Sequence, residues 1–267
     1  MALSTYDSIV AALGSGGGED AFFCKDSIST TAGRWYSLFK STSIPSAGST
    51  PSAGAGDAPT SATAGALQFT NPSGTNQKYL LTFGGGGPTA GQLMLYDRLV
   101  TTSGLDGTNV GSQTVNSTPL TRHTDGVGVQ CAVEVYTAIG ATPRTLTVTY
   151  TNSDGTGSRT GTISIPASAQ AQSFIIPMAL QSGDRGVQSV QSVQLSGSTG
   201  TAGNFGITLY YPIAIIAFNA NDYKERDMVL QLSNLPTLQS NSCLALAALA
   251  TTTSLGLIVG SLKTVQG

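Results

Sequence analysis

Residues 125–166, DGVGVQCAVEVYTAIGATPRTLTVTYTNSDGTGSRTGTISIP, constrain the fold more than any other stretch. Val127, Val129, Cys131, Val133 and Val135 occupy every second position, with Gln130, Glu134 and Tyr136 on the alternate phase. That period belongs to a strand with one apolar and one wetted face. Leu146, Val148 and Tyr150 repeat it against Thr145, Thr147 and Thr149, and Ile163 and Ile165 repeat it within Thr160 to Ile165. Asn152 to Gly157 separates the second and third runs with residues that tolerate turn conformations. The spacing predicts a three-stranded antiparallel meander whose Val/Cys face lies in the core and whose Gln/Glu/Tyr face lies in water or against a neighbour.

The same alternation continues on both sides. Strands are predicted over Tyr79 to Phe83, Gln92 to Leu99, Ser173 to Leu180, Ser189 to Leu195, Phe205 to Phe218, Met228 to Leu232, Leu244 to Ala250 and Leu255 to Val265. The glycine run 84–87 reads as the turn that ends the first, and Thr101 to Thr124 as a long polar connection. Val187, Val190 and Val193 recur every three residues, a period that suits neither strand nor helix. Roughly ten short strands with Gly-rich turns, and no helical pattern between them, predict an all-β chain: a β-sandwich, most simply a jelly roll.

The first 66 residues read differently from the body at 67–267. Leu3, Tyr6, Ile9, Val10 and Leu13 share one face of a short helix that Gly14 to Gly18 ends, with Ser4 and Asp7 as a weak capping box. So short a helix is marginal alone and must dock. GRWYSLFK follows, with Trp35, Tyr36 and Phe39 either plugging the core or anchoring an interface. Ser41 to Gly65 is a Pro/Gly/Ala/Ser/Thr tract with no large apolar residue after Ile44. It predicts an extended arm, mobile or laid across a partner.

Charged residues make up only 10% of the chain, against about 25% in ordinary soluble domains. A charge-poor surface favours association, here with copies of itself or with other proteins. The net charge of −2 gives no whole-chain attraction to nucleic acid. Cys24, Cys131 and Cys243 are too widely spaced for a metal site or a disulfide framework. Met1 to Leu13 lacks the basic region of a secretory signal, and no uninterrupted 18-residue apolar run suggests a membrane span.

Chemistry is sparse. His123 is the only histidine, and its loop TRHTDG lacks a nucleophile elbow to make a triad with Asp125, so it reads as solvated. No motif for a metal, a cofactor or a phosphate cradle is present, and the expectation is of no catalytic, cofactor-binding or metal-binding residue. Asp222 to Asp227, DYKERD, is the densest charge cluster, a solvated corner or a salt-bridging patch. Arg98 beside Asp97 in an apolar strand suggests charges paired across an interface. The candidate interface residues are Tyr6, Ile9, Leu13, Trp35, Tyr36, Phe39, Tyr223 and Arg226.

LMLYDRLVTTSGLDG (93–107), TDGVGVQCAVEVYTAIG (124–140), YTNSDGTGSRT (150–160) and GTAGNFGITL (200–209), together with GRWYSLFK, the tract after it and the closing SLKTVQG, resemble virion structural proteins of tailed bacteriophages. The resemblance implies a non-enzymatic particle component made in the host cytoplasm, a capsid cement or decoration protein. Its partners would be the major capsid protein and copies of itself, most simply as a trimer. It carries over no functional residue. The alternative is a tail or fibre module that stacks exposed aromatics such as Tyr223 on host glycan. A glycan-degrading enzyme would need an acidic pair in a groove.

Overall fold

A computed structural model describes residues 3, 5–230 and 235–267. Among the described residues the chain is all-β apart from one short helix, and sixteen strands, numbered in chain order, form three antiparallel sheets. Sheet I holds β1 (Gly18–Lys25), β3 (Ser43–Ile44), β4 (Lys78–Gly87), β13 (Asp222–Asp227), β14 (Thr237–Leu238) and β16 (Ile258–Gln266). Sheet II runs in the order β10 (Phe174–Ile175), β7 (Gln130–Thr137), β12 (Asn204–Phe218), β5 (Gly91–Thr101), β15 (Leu244–Ala250), β2 (Arg34–Ser37). Sheet III runs β6 (Gln113–Thr114), β11 (Val187–Leu195), β8 (Arg144–Asn152), β9 (Arg159–Ile165).

Sheet II contributes to three apolar clusters. Its Leu93 and Leu95 pack with Phe23, Phe83 and Leu262 of sheet I. Its Leu99, Cys131, Val133, Val135 and Ile207 pack with Leu146, Val148, Ile163 and Val190 of sheet III. Met94, Tyr96, Ala132 and Tyr210 form a third cluster with Phe39 and Ala66. The fold is therefore two sandwiches sharing one sheet, with a further layer over the shared sheet. This corrects the reading of the meander: only β8 and β9 pair with each other, in sheet III, while β7 lies in sheet II between β10 and β12 and does not pair with β8. The Val/Cys face of β7 is in the core, but its other face is also buried: Ala132 is fully covered, and Glu134 and Tyr136 are 1% and 7% exposed. Val127 lies outside β7 and is 39% exposed.

The three-residue repeat of β11 has a simple cause. Its pairing with β8 shifts register between Val187 and Ser189 and again between Val190 and Ser192. Each bulge inserts one extra residue, so a two-residue alternation becomes a three-residue one. Val187, Val190, Val193 and Leu195 all reach the core.

The glycine run 84–87 is strand, not turn. A Cβ on Gly84 would come within 2.5 Å of the Tyr223 hydroxyl, and one on Gly85 within 2.9 Å of Leu93 Cδ2. Missing side chains there let both faces of β4 be approached closely. The expected strand Ser173 to Leu180 shrinks to Phe174–Ile175, ahead of the cis Ile176–Pro177 bond. Thr101 to Thr124 contains the short β6. Of the expected strand Met228 to Leu232, residues 228–230 are a bend and a 3₁₀ turn, and the rest lies outside the described residues.

The N-terminal third is woven into the body rather than held out. β1 pairs with β16 over eight positions, from Gly18↔Val265 to Lys25↔Ile258, and β2 pairs with β15. The helix, α1 (Tyr6–Gly14), is capped by Thr5 and Ser8 in a reciprocal box and buries Ile9, and Ser4 of the expected box lies outside the described residues. The tract expected to be mobile or laid on a partner lies along its own sheet. Asp57 exchanges backbone hydrogen bonds with Thr101, and Ser103 donates to the Pro51 carbonyl. Gly48 is buried beneath the Phe39 ring, where a Cβ would approach within 2.1 Å. Buried Lys25 fastens the start of the tract, donating to the carbonyls of Ser41 and Pro45 at 3.1 and 2.7 Å. Burial pulls its pKa down to about 8.

Because the bulges aim all three valines inward, Val187→Ala, Val190→Ala and Val193→Ala should each destabilise by about 1–3 kcal/mol in urea unfolding. Gln194→Ala, on the exposed phase, should stay within about 0.5 kcal/mol. A regular strand would instead leave one of the three valines neutral.

Candidate interaction surface

Alternation on β1 sends Phe23 into the core and leaves Phe22 57% exposed on the outer face of sheet I. Phe22 is paired with Ser261, and Ser261 with Gly84. The ring of Tyr223 lies over Gly84, and its hydroxyl is 3.0 Å from Ser261 Oγ. A band thus crosses β13, β4, β16 and β1: 46% exposed Tyr223 covers buried Gly84 at one end, half-buried Ser261 lies between, and exposed Phe22 stands at the other. Cys24 continues it, paired with Val259 and with Ile44, which is 52% exposed. Charges border the band: Asp20 and Lys263 are exposed, and Lys224 pairs with Asp222 at 3.0 Å. The edge strand β13 carries the DYKERD cluster, which blunts this sheet edge against indiscriminate strand pairing.

The expected interface residues divide sharply. Tyr6 and Leu13 stay exposed on the outer side of α1, and Tyr223 and Arg226 are exposed on β13. Ile9, Tyr36 and Phe39 are not available. Ile9 seats the helix on the chain's own core, and Tyr36 is fully buried, its hydroxyl accepting from the Thr31 amide. Phe39 packs in the third cluster with its ring 4.4 Å from the Arg98 guanidinium. Trp35 is half-buried beside that cluster. The aromatic segment is thus mostly core: β2 pairs with β15 on one side and, through Tyr36 and Ser37, with residues 172–173 on the other. Phe22 was missed: it stands next to Phe23, and only the phase of β1, fixed by its partner β16, tells the two apart.

The charges of β5 pair inside the chain, not across an interface. Asp97 is fully buried and takes two hydrogen bonds from Arg122, Nε to Oδ2 and Nη2 to Oδ1, both 2.9 Å. Ser242 Oγ and the Cys243 amide also donate to it, at 2.9 and 2.8 Å. Arg122 Nη2 continues to the carbonyls of Pro59 and Arg98. On the opposite face, Arg98 Nη2 lies 2.6 Å from Glu134 Oε2, both side chains 1% exposed. Thr208 Oγ1 donates to the same carboxylate oxygen at 2.8 Å, as does the Tyr136 hydroxyl at 3.3 Å. Burial works against the charge of Arg98, yet Glu134 and the flanking tyrosines raise its pKa overall. Burial, reinforced by Glu134, holds the Tyr136 phenol well above its usual range.

His123 is neither solvated nor paired with Asp125. Its ring stacks on Tyr211 with centroids 3.9 Å apart, its Nδ1 is 3.4 Å from Gln239 Nε2, and its Nε2 is 3.9 Å from Asp97 Oδ2. Ser, His and Asp side chains therefore meet at Asp97, but their wiring is not that of an activated nucleophile. The Ser242 hydroxyl is spent on the carboxylate, and the structure gives it no contact with the imidazole that would have to take its proton. Burial pushes the thiols of Cys131 and Cys243 up to about 12, away from nucleophilic use. Among the described residues no group of three His, Cys, Asp or Glu side chains could hold a metal ion. Among them no helix is long and apolar enough to cross a membrane.

No family model and no curated protein matches the chain. Solved structures that align with it include several from infectious bursal disease virus. One is the Gt strain virus, at 10% identity over 93% of this chain and 81% of that one, with a TM-score of 0.18. Another is a crystal structure of the VP2 subviral particle, at 10% identity over 94% and 81%, with a TM-score of 0.21. Superposition at that level carries no argument about this chain.

Asp97→Asn leaves Arg122 buried without its counter-charge and should cost about 3–5 kcal/mol, measured by urea unfolding. His123 supplies a pH dependence of its own. Burial lowers its folded-state pKa below the ordinary 6.5, with Asp97 opposing. The unfolded chain then binds more protons, so this contribution is intact above about pH 6.5 and is lost as pH falls toward the folded value. Thermal melts from pH 7.5 to 5 should show a fall in stability that His123→Gln reduces.

Proposed function

We propose that this protein is a non-enzymatic structural component of a virus particle, a cement or decoration protein on a bacteriophage capsid. The observation that carries the reading is the outer face of sheet I: the band from exposed Tyr223 over Gly84 to exposed Phe22, continued by Ile44, on a chain with very few charges. Exposed aromatic and aliphatic side chains on a sheet face with few charges are cheap to desolvate, which suits attachment to another protein surface. The exposed side of α1, with Tyr6, Val10 and Leu13, gives a second apolar patch for copies of the chain or for the major capsid protein. Many weak attachments repeated over a shell add up through avidity, so each need be only modest. The sequence resemblance to phage virion proteins supports the same reading, and a symmetric trimer is the assembly we infer.

The attachment is made by the face of the body, not by a detachable arm. Removing residues 1–65 would take β1 and β2 out of two sheets, so point changes are the proper test. Phe22→Asp and Tyr223→Ala, each checked for folding by circular dichroism, should lower occupancy on purified particles at least about tenfold. Wild-type occupancy in both variants would overturn the assignment of this face.

A further inference from the structure

The only histidine of the chain joins two loops. The His123 backbone N–H donates to Gln239 Oε1 at 3.2 Å, and Gln239 Nε2 lies 3.4 Å from its ring Nδ1. One side-chain amide thus holds the 121–125 turn at two points, from the segment just after β14. The turn needs holding. His123 has a φ of 49°, in the left-handed region that a residue other than glycine occupies at a cost and keeps only where its surroundings fix it. The ring is fixed as well, stacked on Tyr211 with the planes 10° apart. Solvent protons can reach it, since its side chain is 14% exposed and lines two clefts of about 490 and 480 Å³.

The two bonds are compatible with one protonation state. An amide NH₂ only donates, so Nδ1 must accept, and the hydrogen of the neutral imidazole sits on Nε2. A second proton turns Nδ1 into a donor that faces the donor Nε2 of Gln239. Turning the amide over does not help. Oε1 would then accept from Nδ1–H, but Nε2 would face the His123 backbone N–H, again donor against donor. Either orientation loses one of the two bonds.

The charged groups around the ring do not restore what is lost. Asp97 Oδ2, from β5, is 3.9 Å from the ring Nε2, beyond hydrogen-bond reach, and it already accepts from Arg122 Nε and Ser242 Oγ. From the histidine's own turn, Arg122 opposes the added charge and Asp125 favours it. Tyr211 of β12 presents its ring face.

We propose that His123 and Gln239 form an acid-opened clamp, in which protonation of the imidazole releases the 121–125 turn from the segment after β14. The device is independent of attachment to a capsid.

The single histidine lets one imidazole report on the clamp. The full chain labelled with ¹⁵N should show the Nε2–H tautomer at about pH 7.5. As the pH is lowered, both ring nitrogens should become protonated with a midpoint below the ordinary 6.5. Through that midpoint the protection of the His123 backbone amide from hydrogen exchange should fall at least about tenfold. Gln239→Glu puts a carboxylate where it can accept from both N–H groups of the protonated residue. The midpoint should then move above about 6.5, and protection should rise instead of falling as the pH drops. The Nδ1–H tautomer in the wild type would overturn the proposal, as would amide protection that stays constant through the imidazole titration. A midpoint in Gln239→Glu that is unmoved or lowered would also overturn it. Should Gln239→Glu fail to fold, the wild-type tautomer and exchange data decide.

Discussion

Two adjacent residues of one strand, Asp97 and Arg98, carry the constraint on which the architecture depends. Alternation sends their side chains to opposite faces of sheet II. Asp97 shares its phase with Leu95, which belongs to the core with sheet I, and with Leu99, which belongs to the core with sheet III. It therefore stands at the seam between two sandwiches. Arg122 bonds to it from the 101–129 connection, while Ser242 and the Cys243 amide bond to it from the start of β15. Arg98 does the same work on the other face, joining β5 to Glu134 of β7 and lying beneath Phe39. Apolar contact is non-directional and would tolerate sliding of one sandwich on the other. Two buried ion pairs with fixed partners do not, since any other register leaves a charge unpaired in a dry interior.

Much of this architecture was legible in the sequence, and the parts that were not share a cause. Alternation revealed most strands and the all-β class, because burial on one face writes a two-residue period. It could not show that sheet II is covered on both faces. Glu134 looked like a wetted residue in a half-buried strand. The signal available was subtler: Arg98 and Glu134 each interrupt an apolar strand, and two such charges of opposite sign in a charge-poor chain must find each other. The valine triplet of β11 failed for a local reason, since bulges are set by pairing with β8 and leave no mark in β11 alone. Phe22 and the buried Tyr36 show the same limit for the candidate surface. Which aromatic of a pair faces outward depends on partners more than 200 residues away for both β1 and β2.

The sparse chemistry has a physical reading beyond the want of motifs. The reactive side chains the chain does possess are mostly consumed by structure. His123 is stacked on Tyr211, Ser242 and Arg122 are spent on Asp97, and two of the three thiols are pinned high by burial. What remains exposed includes a few large apolar side chains, such as Phe22 and Tyr223, with scattered charges such as Asp20, Lys263 and those of β13 around them. On the reading proposed above, those exposed apolar side chains are what the surface offers a protein neighbour.

The low-complexity tract is the most instructive failure of composition as a guide. Pro, Gly, Ala, Ser and Thr in long succession cannot bury enough apolar area to order themselves, and disorder was the natural reading. The argument assumes that order must come from side chains. Here it comes from the main chain: Asp57 is bridged to Thr101, Ala53 to Ser103 and Leu67 to Leu244, and Thr118 donates to the Ala55 carbonyl. Small residues are then an advantage, because they let the backbone come within hydrogen-bonding reach of the sheet. Gly56 makes the point, since a Cβ there would lie 2.1 Å from the Thr101 carbonyl oxygen. Composition of this kind signals disorder only when no receptive sheet is near, and in this chain the sheet it covers is the one that holds both buried ion pairs.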